Sequence, residues 1–283
     1  MGMPYICTHL AFGYALGKRL GVVTEQNLFL FALGCLGPDV YFFDRLPPTP
    51  FIPPQKKHGN RLHALDCGDL LAALLCHADA DTTPYLYGFL THMALDSTLH
   101  PYVEAHHSGI DHTRFEGDID ACIYAQSKDT TPFDAMLLRC PAVDAVDALL
   151  TAVSKDTMQA DVSGAYARSA KKFWRALRIL RDPNGRKRKC LLPIERLIRK
   201  EGLLSAFFLM GARTDETDCL NLAHHAWAAP WDSAHTRSES VPELLANADA
   251  LAAGWMGRLS RGEYAILVQE VHGRTMAKGV QHG

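Results

Sequence analysis

The stretch YLYGFLTHMALDSTLHP places His92, Asp96 and His100 at i, i+4 and i+8. At about 100° per residue the three drift only about 80° around a helix, so one face carries an imidazole, a carboxylate and an imidazole. Leu86, Phe89, Leu90 and Met93 lie beside that stripe and would bury it in a bundle, where polar groups without partners are costly. In DHTRFEGDID, His112 and Glu116 repeat the i, i+4 spacing and Asp120 continues it. Neighbouring helices that turn such side chains inward build metal sites, each imidazole being steadied by an outer carboxylate of the kind Asp118 or Asp120 supplies. Any one of these histidines alone reads more simply as a core or surface imidazole. Five His/Asp/Glu residues in register on two helices point to bound cations. Histidine is concentrated to match: 8 of the 14 fall between His58 and His112.

The elements that must position these groups read as helices. Apolar residues recur at three and four spacing near 8–20, 26–36, 61–77, 84–100, 112–127, 141–154, 164–181, 240–258 and 262–272, and no stretch alternates cleanly with period two. Gly37-Pro38 stops the second segment, PPTPFIPPQ (47–55) reads as an extended loop, and Pro101 is expected to end the segment that opens at Pro84. Asp111 is placed to cap the segment opening at His112. The expected fold is an all-α, multi-helix bundle occupying 1–283 as a single domain, with the metal site within 1–125.

The chain has 283 residues, 48% hydrophobic and 21% charged, with a net charge of -2. This composition excludes a disordered or collagen-like chain, and the balance of charge gives no global attraction to nucleic acid or acidic membrane. The longest apolar runs, Leu28 to Leu36 and Leu203 to Met210, are too short to span a bilayer. The N-terminus lacks the layout of a signal peptide, so a cytoplasmic protein is expected. Eight cysteines, at 7, 35, 67, 76, 122, 140, 190 and 219, show no C-x-x-C and read as small core hydrophobes. From Arg168 to Lys200 there are 13 Lys/Arg against Asp182 and Glu195. This basic helical segment, 165–200, has two readings. The plainer is a solvated helix face with RKRK (186–189) as an exposed loop; the functional one is peripheral contact with anionic membrane or nucleic-acid phosphate. No dedicated nucleic-acid binding is expected.

The motifs THLAFG, LGCLGPDVYFFD, HGNRLH, YGFLTHMALDSTLHPY, HTRFEGDID and CLNLAHHAWAAPW together resemble, in their order and spacing, the zinc-dependent phospholipase C family, which is related to the fungal single-strand-specific zinc nucleases. The resemblance spans most of the chain. It implies that Asp39, His63, His92 and Asp96 hold one zinc and that His100, His112 and Glu116 hold a second. His9, with Asp96, belongs to a third family site that also uses an N-terminal Trp; this sequence begins Met1-Gly2-Met3. Two firmly bound zinc ions are therefore expected, with His9 and Asp96 as a partial third site. The resemblance makes Asp39 the candidate general base; Glu104 and Asp44 read first as surface carboxylates, with a helper role as the alternative. His58 is the alternative to His63, which alone sits in the family's G-N-R-x-H context. His106 and His107 are expected in a loop, and His224, Trp227 and Trp231 in a packing or rim role.

The implied activity is phosphodiester hydrolysis by a phospholipase C-like enzyme, through metal-activated water attacking in line on phosphorus. The expected partner is a phosphoester substrate such as a phospholipid headgroup. An HD-type phosphohydrolase is excluded because the chain holds no His-Asp dipeptide. A di-iron carboxylate bundle needs two E-x-x-H units, and only Glu104–His107 is present. The rival from another class is a non-catalytic helical module with structural zinc, binding anionic lipid or nucleic-acid phosphate through 168–200.

Overall fold

A computed structural model of the chain describes residues 6–45, 54–107, 109–126, 133–134, 143–199, 208 and 218–280. The helices are α1 (Ile6–Arg19), α2 (Leu28–Leu36), a 3-10 segment (Gly37–Arg45), α3 (Pro54–Ala64), α4 (Cys67–His77), α5 (Thr83–His106) and α6 (Gly109–Gln126). There follow α7 (Asp144–Met158), α8 (Ala165–Leu180), α9 (Arg186–Leu197), α10 (Val241–Ser260) and α11 (Tyr264–Val271). Two-residue strands, β1 (Arg274–Thr275) and β2 (Gly279–Val280), form a small antiparallel hairpin. The fold is all-α, as the periodicity requires.

The central helix is α5, which packs against α1, α2, α6 and α10. Its closest neighbour is α2, and glycine sets that approach. A Cβ on Gly34 would lie 2.1 Å from the Tyr85 carbonyl oxygen, and one on Gly88 would lie 2.0 Å from that of Phe31. The two backbones therefore touch, a contact only glycine permits. Phe31, Phe89, Leu90 and Met93 fill the surrounding core, and a second cluster joins Leu95, Tyr102 and Phe115 to Trp227 and Leu244. Each such side chain contributes about 1.5–3 kcal/mol of burial.

Four boundaries differ from the sequence expectation. Segment 61–77 is two helices, because Asp66 accepts from the backbone N–H groups of Gly68 and Asp69 and starts α4 afresh. Pro101 lies inside α5, which continues to His106. Proline removes the donor that would have met the Ser97 carbonyl, and Gly279 of the hairpin fits over that spot, its absent Cβ only 2.5 Å from the Ser97 oxygen. Helix α6 opens at Gly109, so Asp111 stands within its first turn instead of capping it. RKRK is the first turn of α9, not a loop, because Asp182 accepts from the backbone N–H of Lys187 and Arg188. Most of the expected loop 47–55, the run from Leu203, Cys140 and Lys200 lie outside the described residues, as does the side chain of Asp44.

Cysteine burial is mixed. Cys7, Cys35, Cys67 and Cys219 are buried, while Cys76 and Cys190 are exposed. Among the described residues, no helix is long and apolar enough to cross a membrane.

Candidate metal centre

Helix α5 delivers His92, Asp96 and His100 along one face, α6 delivers His112 and Glu116, the 3-10 segment delivers Asp39, and α3 delivers His63. Donor atoms of Asp39, His63, His92 and Asp96 all lie within 4.8 Å of one another, and so do those of His100, His112 and Glu116. These are the two sets that the family resemblance implies. His63 Nε2 is 3.0 Å from Asp39 Oδ1 and 3.3 Å from Asp96 Oδ2, which is also 3.3 Å from His92 Nε2. Asp96 Oδ2 reaches on to His100 Nδ1 at 3.6 Å, so the first set abuts the second. His9 joins from α1, its Nε2 at 3.0 Å from Asp96 Oδ1 and 3.9 Å from Asp39 Oδ2.

Three of the imidazoles are held from behind by backbone carbonyls. The Nδ1 atoms of His63, His92 and His100 lie 2.8, 3.2 and 3.0 Å from the carbonyl oxygens of Gly59, Cys35 and Met276. These bonds direct the Nε2 edges of His63 and His92 toward the cluster. Gly37 belongs to the same device: its φ is 48°, and a Cβ there would strike the His92 ring at 2.6 Å. His112 has a carboxylate behind it, Glu104 at 3.4 Å from its Nδ1, while its Nε2 bonds Glu116 at 2.9 Å.

Asp120 is a correction of a different kind. Its carboxylate accepts from the backbone N–H groups of Cys7 and Thr8 and from the Thr8 hydroxyl. It therefore caps α1, and fixes His9 through that helix instead of touching an imidazole. Sequence reasoning also missed Met276 in the C-terminal hairpin. A carbonyl acceptor leaves no signal in residue type.

Burial makes the cluster electrostatically demanding. Asp39, Asp96 and Glu116 are each at most 3% exposed, and ionised carboxylates need a counter-charge there. Burial pushes Glu116 up. Burial also pushes His92 down to about 4, which keeps it neutral as a ligand must be. Burial opposes protonation of His63, but its bonds to Asp39 and Asp96 win and raise it to about 10. Burial alone would lift Asp96; the surrounding histidines hold it well below the carboxylate range.

The residues fit zinc. The donor set is imidazole nitrogen and carboxylate oxygen, which zinc takes. Buried Asp39 Oδ2, His92 Nε2 and Glu116 Oε2 make no hydrogen bond within the protein; a cation in each donor set would satisfy them.

The other histidines fall outside the two sets. His58 Nε2 lies 2.9 Å from the Ser154 hydroxyl, and burial together with Arg61 pushes it down to about 4. His106 ends α5 instead of lying in a loop; it stacks on Phe115, and His107 follows it. Trp227 packs edge-on against Tyr102, its indole N–H donating to the Glu239 carbonyl, as the packing role expects. A third, more exposed group, Asp66, Asp69 and His272, also has ligand spacing. Asp66 there is already engaged with the N–H groups of Gly68, Asp69 and Gly273 and with His272, so the group is a structural cap.

No curated protein matches the chain, and no solved structure does. The model of the zinc-dependent phospholipase C family matches residues 8–171. That span exceeds half of the chain and contains His9 and all seven members of the two donor sets, so the chain belongs to the zinc-dependent phospholipase C family and is a zinc-dependent hydrolase.

Proposed function

We propose that the protein is a phospholipase C-like phosphodiesterase that holds two zinc ions, one in each donor set, and uses a water for in-line attack on phosphorus. The observation that carries this reading is the contact of the two sets through Asp96, whose Oδ2 stands 3.6 Å from His100 Nδ1. When bound, a zinc pair supplies Lewis acidity, lowering the pKa of water toward neutrality and offsetting charge on the phosphoryl oxygens.

The chain's own residues do the rest. Asp39 is the general base. Both of its oxygens face the cluster, Oδ1 at 3.0 Å from His63 Nε2 and Oδ2 buried, so one would hold zinc while the other accepts the water's proton. Glu104, behind His112, steadies the second set. His100 has the most exposed side chain of the seven donors, at 18%, so substrate enters from its side. His9 and Asp96 form a partial third site. The substrate class is a phosphodiester, with a phospholipid headgroup as the favoured member.

The test is turnover of bis-p-nitrophenyl phosphate and of phosphatidylcholine by zinc-loaded protein, with Asp39→Asn in parallel. The wild type turns over one or both, and the variant loses about 10²–10⁴-fold. Zinc retained with no turnover of any phosphoester would instead favour a binding module with structural zinc.

A further inference from the structure

Helices α8 and α9 adjoin, Lys187 in the first turn of α9 donating to the carbonyl oxygens of Ile179 and Arg181 at the end of α8, and each carries an exposed stripe that mixes apolar and cationic residues or lies beside cations. On α8, Arg168, Lys171, Arg175 and Ile179 are all exposed and, at about 100° per residue, fall within an arc of about 80°. The opposite side of α8, with Tyr166, Phe173 and Leu177, is fully packed into the core. Ile179 is 65% exposed amid those cations.

Helix α9 is inverted for a helix in water. Glu195 is buried at 2% exposure, while Ile194 and Leu197 are 55% and 84% exposed. Cys190, Pro193, Ile194 and Leu197 form one exposed stripe within an arc of about 100°, with Glu195 on the far side. The same helix carries RKRK in its first turn, where the macrodipole already adds positive charge. An external anion would relieve that excess. Asp182, capping the backbone N–H of Lys187 and Arg188, fixes this turn in place.

We propose that this face docks the protein on an anionic phospholipid bilayer, with Ile179, Ile194 and Leu197 entering the headgroup boundary and the surrounding lysines and arginines meeting lipid phosphate and carboxylate. Exposed apolar side chains on helices that also carry exposed cations suit that interface. A second copy of the chain would bring one cationic face against another, and nucleic acid would leave Leu197 and Ile194 without a partner.

Co-sedimentation tests this, using vesicles of phosphatidylcholine alone and of phosphatidylcholine with phosphatidylserine. Zinc-loaded Asp39→Asn run alongside the wild type removes turnover of the vesicles from the result. The protein binds the phosphatidylserine vesicles, and more weakly as salt rises. Lys171→Ala with Arg175→Ala weakens binding about 25-fold, at about fivefold per charge. Ile194→Ser with Leu197→Ser weakens it about tenfold or more. All four positions are exposed, and unchanged circular dichroism shows the variants folded.

Equal binding to both vesicle types, or unchanged binding in both double variants, overturns the proposal. So does a dimer that Leu197→Ser dissociates, or capture of a single-stranded oligonucleotide without vesicle binding. Sedimentation is read without catalysis, so this proposal and the phosphodiesterase reading fail separately.

Discussion

Asp96→Asn is the most informative single change. The substitution keeps the shape of a side chain that is 2% exposed and removes a charge that faces His9, His63, His92 and His100 together, at 3.0, 3.3, 3.3 and 3.6 Å. A ligand present at 100 times its Kd adds about 2.7 kcal/mol to the folded state. With an unfolding entropy of about 2.1 cal/mol/K per residue, 283 residues give about 0.6 kcal/mol/K, so each occupied site raises Tm by about 4–5 °C. The assay is differential scanning fluorimetry with and without zinc, each variant referred to its own chelated form. That reference cancels the variant's effect on the metal-free protein. Wild type shows the full rise, whereas Asp96→Asn loses the first site's share and its zinc content falls by at least half. An unchanged rise and unchanged zinc content would refute the ligand assignment.

Other outcomes follow from the same geometry. His58→Gln keeps its zinc and its turnover, because His58 serves Ser154 and not the cluster; loss of zinc in metal analysis would transfer the ligand role from His63. In the metal-free protein His63 stays protonated up to about 10, above its ordinary 6.5, so at pH 7 zinc must displace that proton. Calorimetry in buffers of different ionisation enthalpy should then show at least one proton released, and zinc affinity should rise with pH by about tenfold per unit for each such proton; pH-independent affinity would contradict this. Gly88→Ala puts a Cβ 2.0 Å from the Phe31 carbonyl oxygen and should cost about 1–3 kcal/mol. Its Tm falls by about 2–5 °C, and zinc binding weakens with it as α2 moves the Cys35 carbonyl away from His92.

What the sequence carried depended on whether the signal was periodic. His92, Asp96 and His100, and His112 with Glu116, were legible because helical spacing alone puts them on one face. Asp39 and His63 arrive from a 3-10 segment and a separate helix, where no local spacing relates them to α5; only the family motifs named them. The bonds behind the imidazoles were invisible, since Gly59, Cys35 and Met276 act through carbonyls that every residue has. Asp120 continued the α6 stripe in sequence, yet its carboxylate turns to the N–H groups at the start of α1. Pro101 read as a stop because its local effect is to break a helix, and a hairpin more than 170 residues later covers the carbonyl it releases.

Anomalous diffraction at the zinc edge from crystals of the zinc-loaded protein tests the central claim most directly. Two peaks are predicted, one about 2.0–2.2 Å from donor atoms of Asp39, His63, His92 and Asp96, the other at that distance from His100, His112 and Glu116. Zinc confined to Asp66, Asp69 and His272, or absent from both buried sets, would contradict the account.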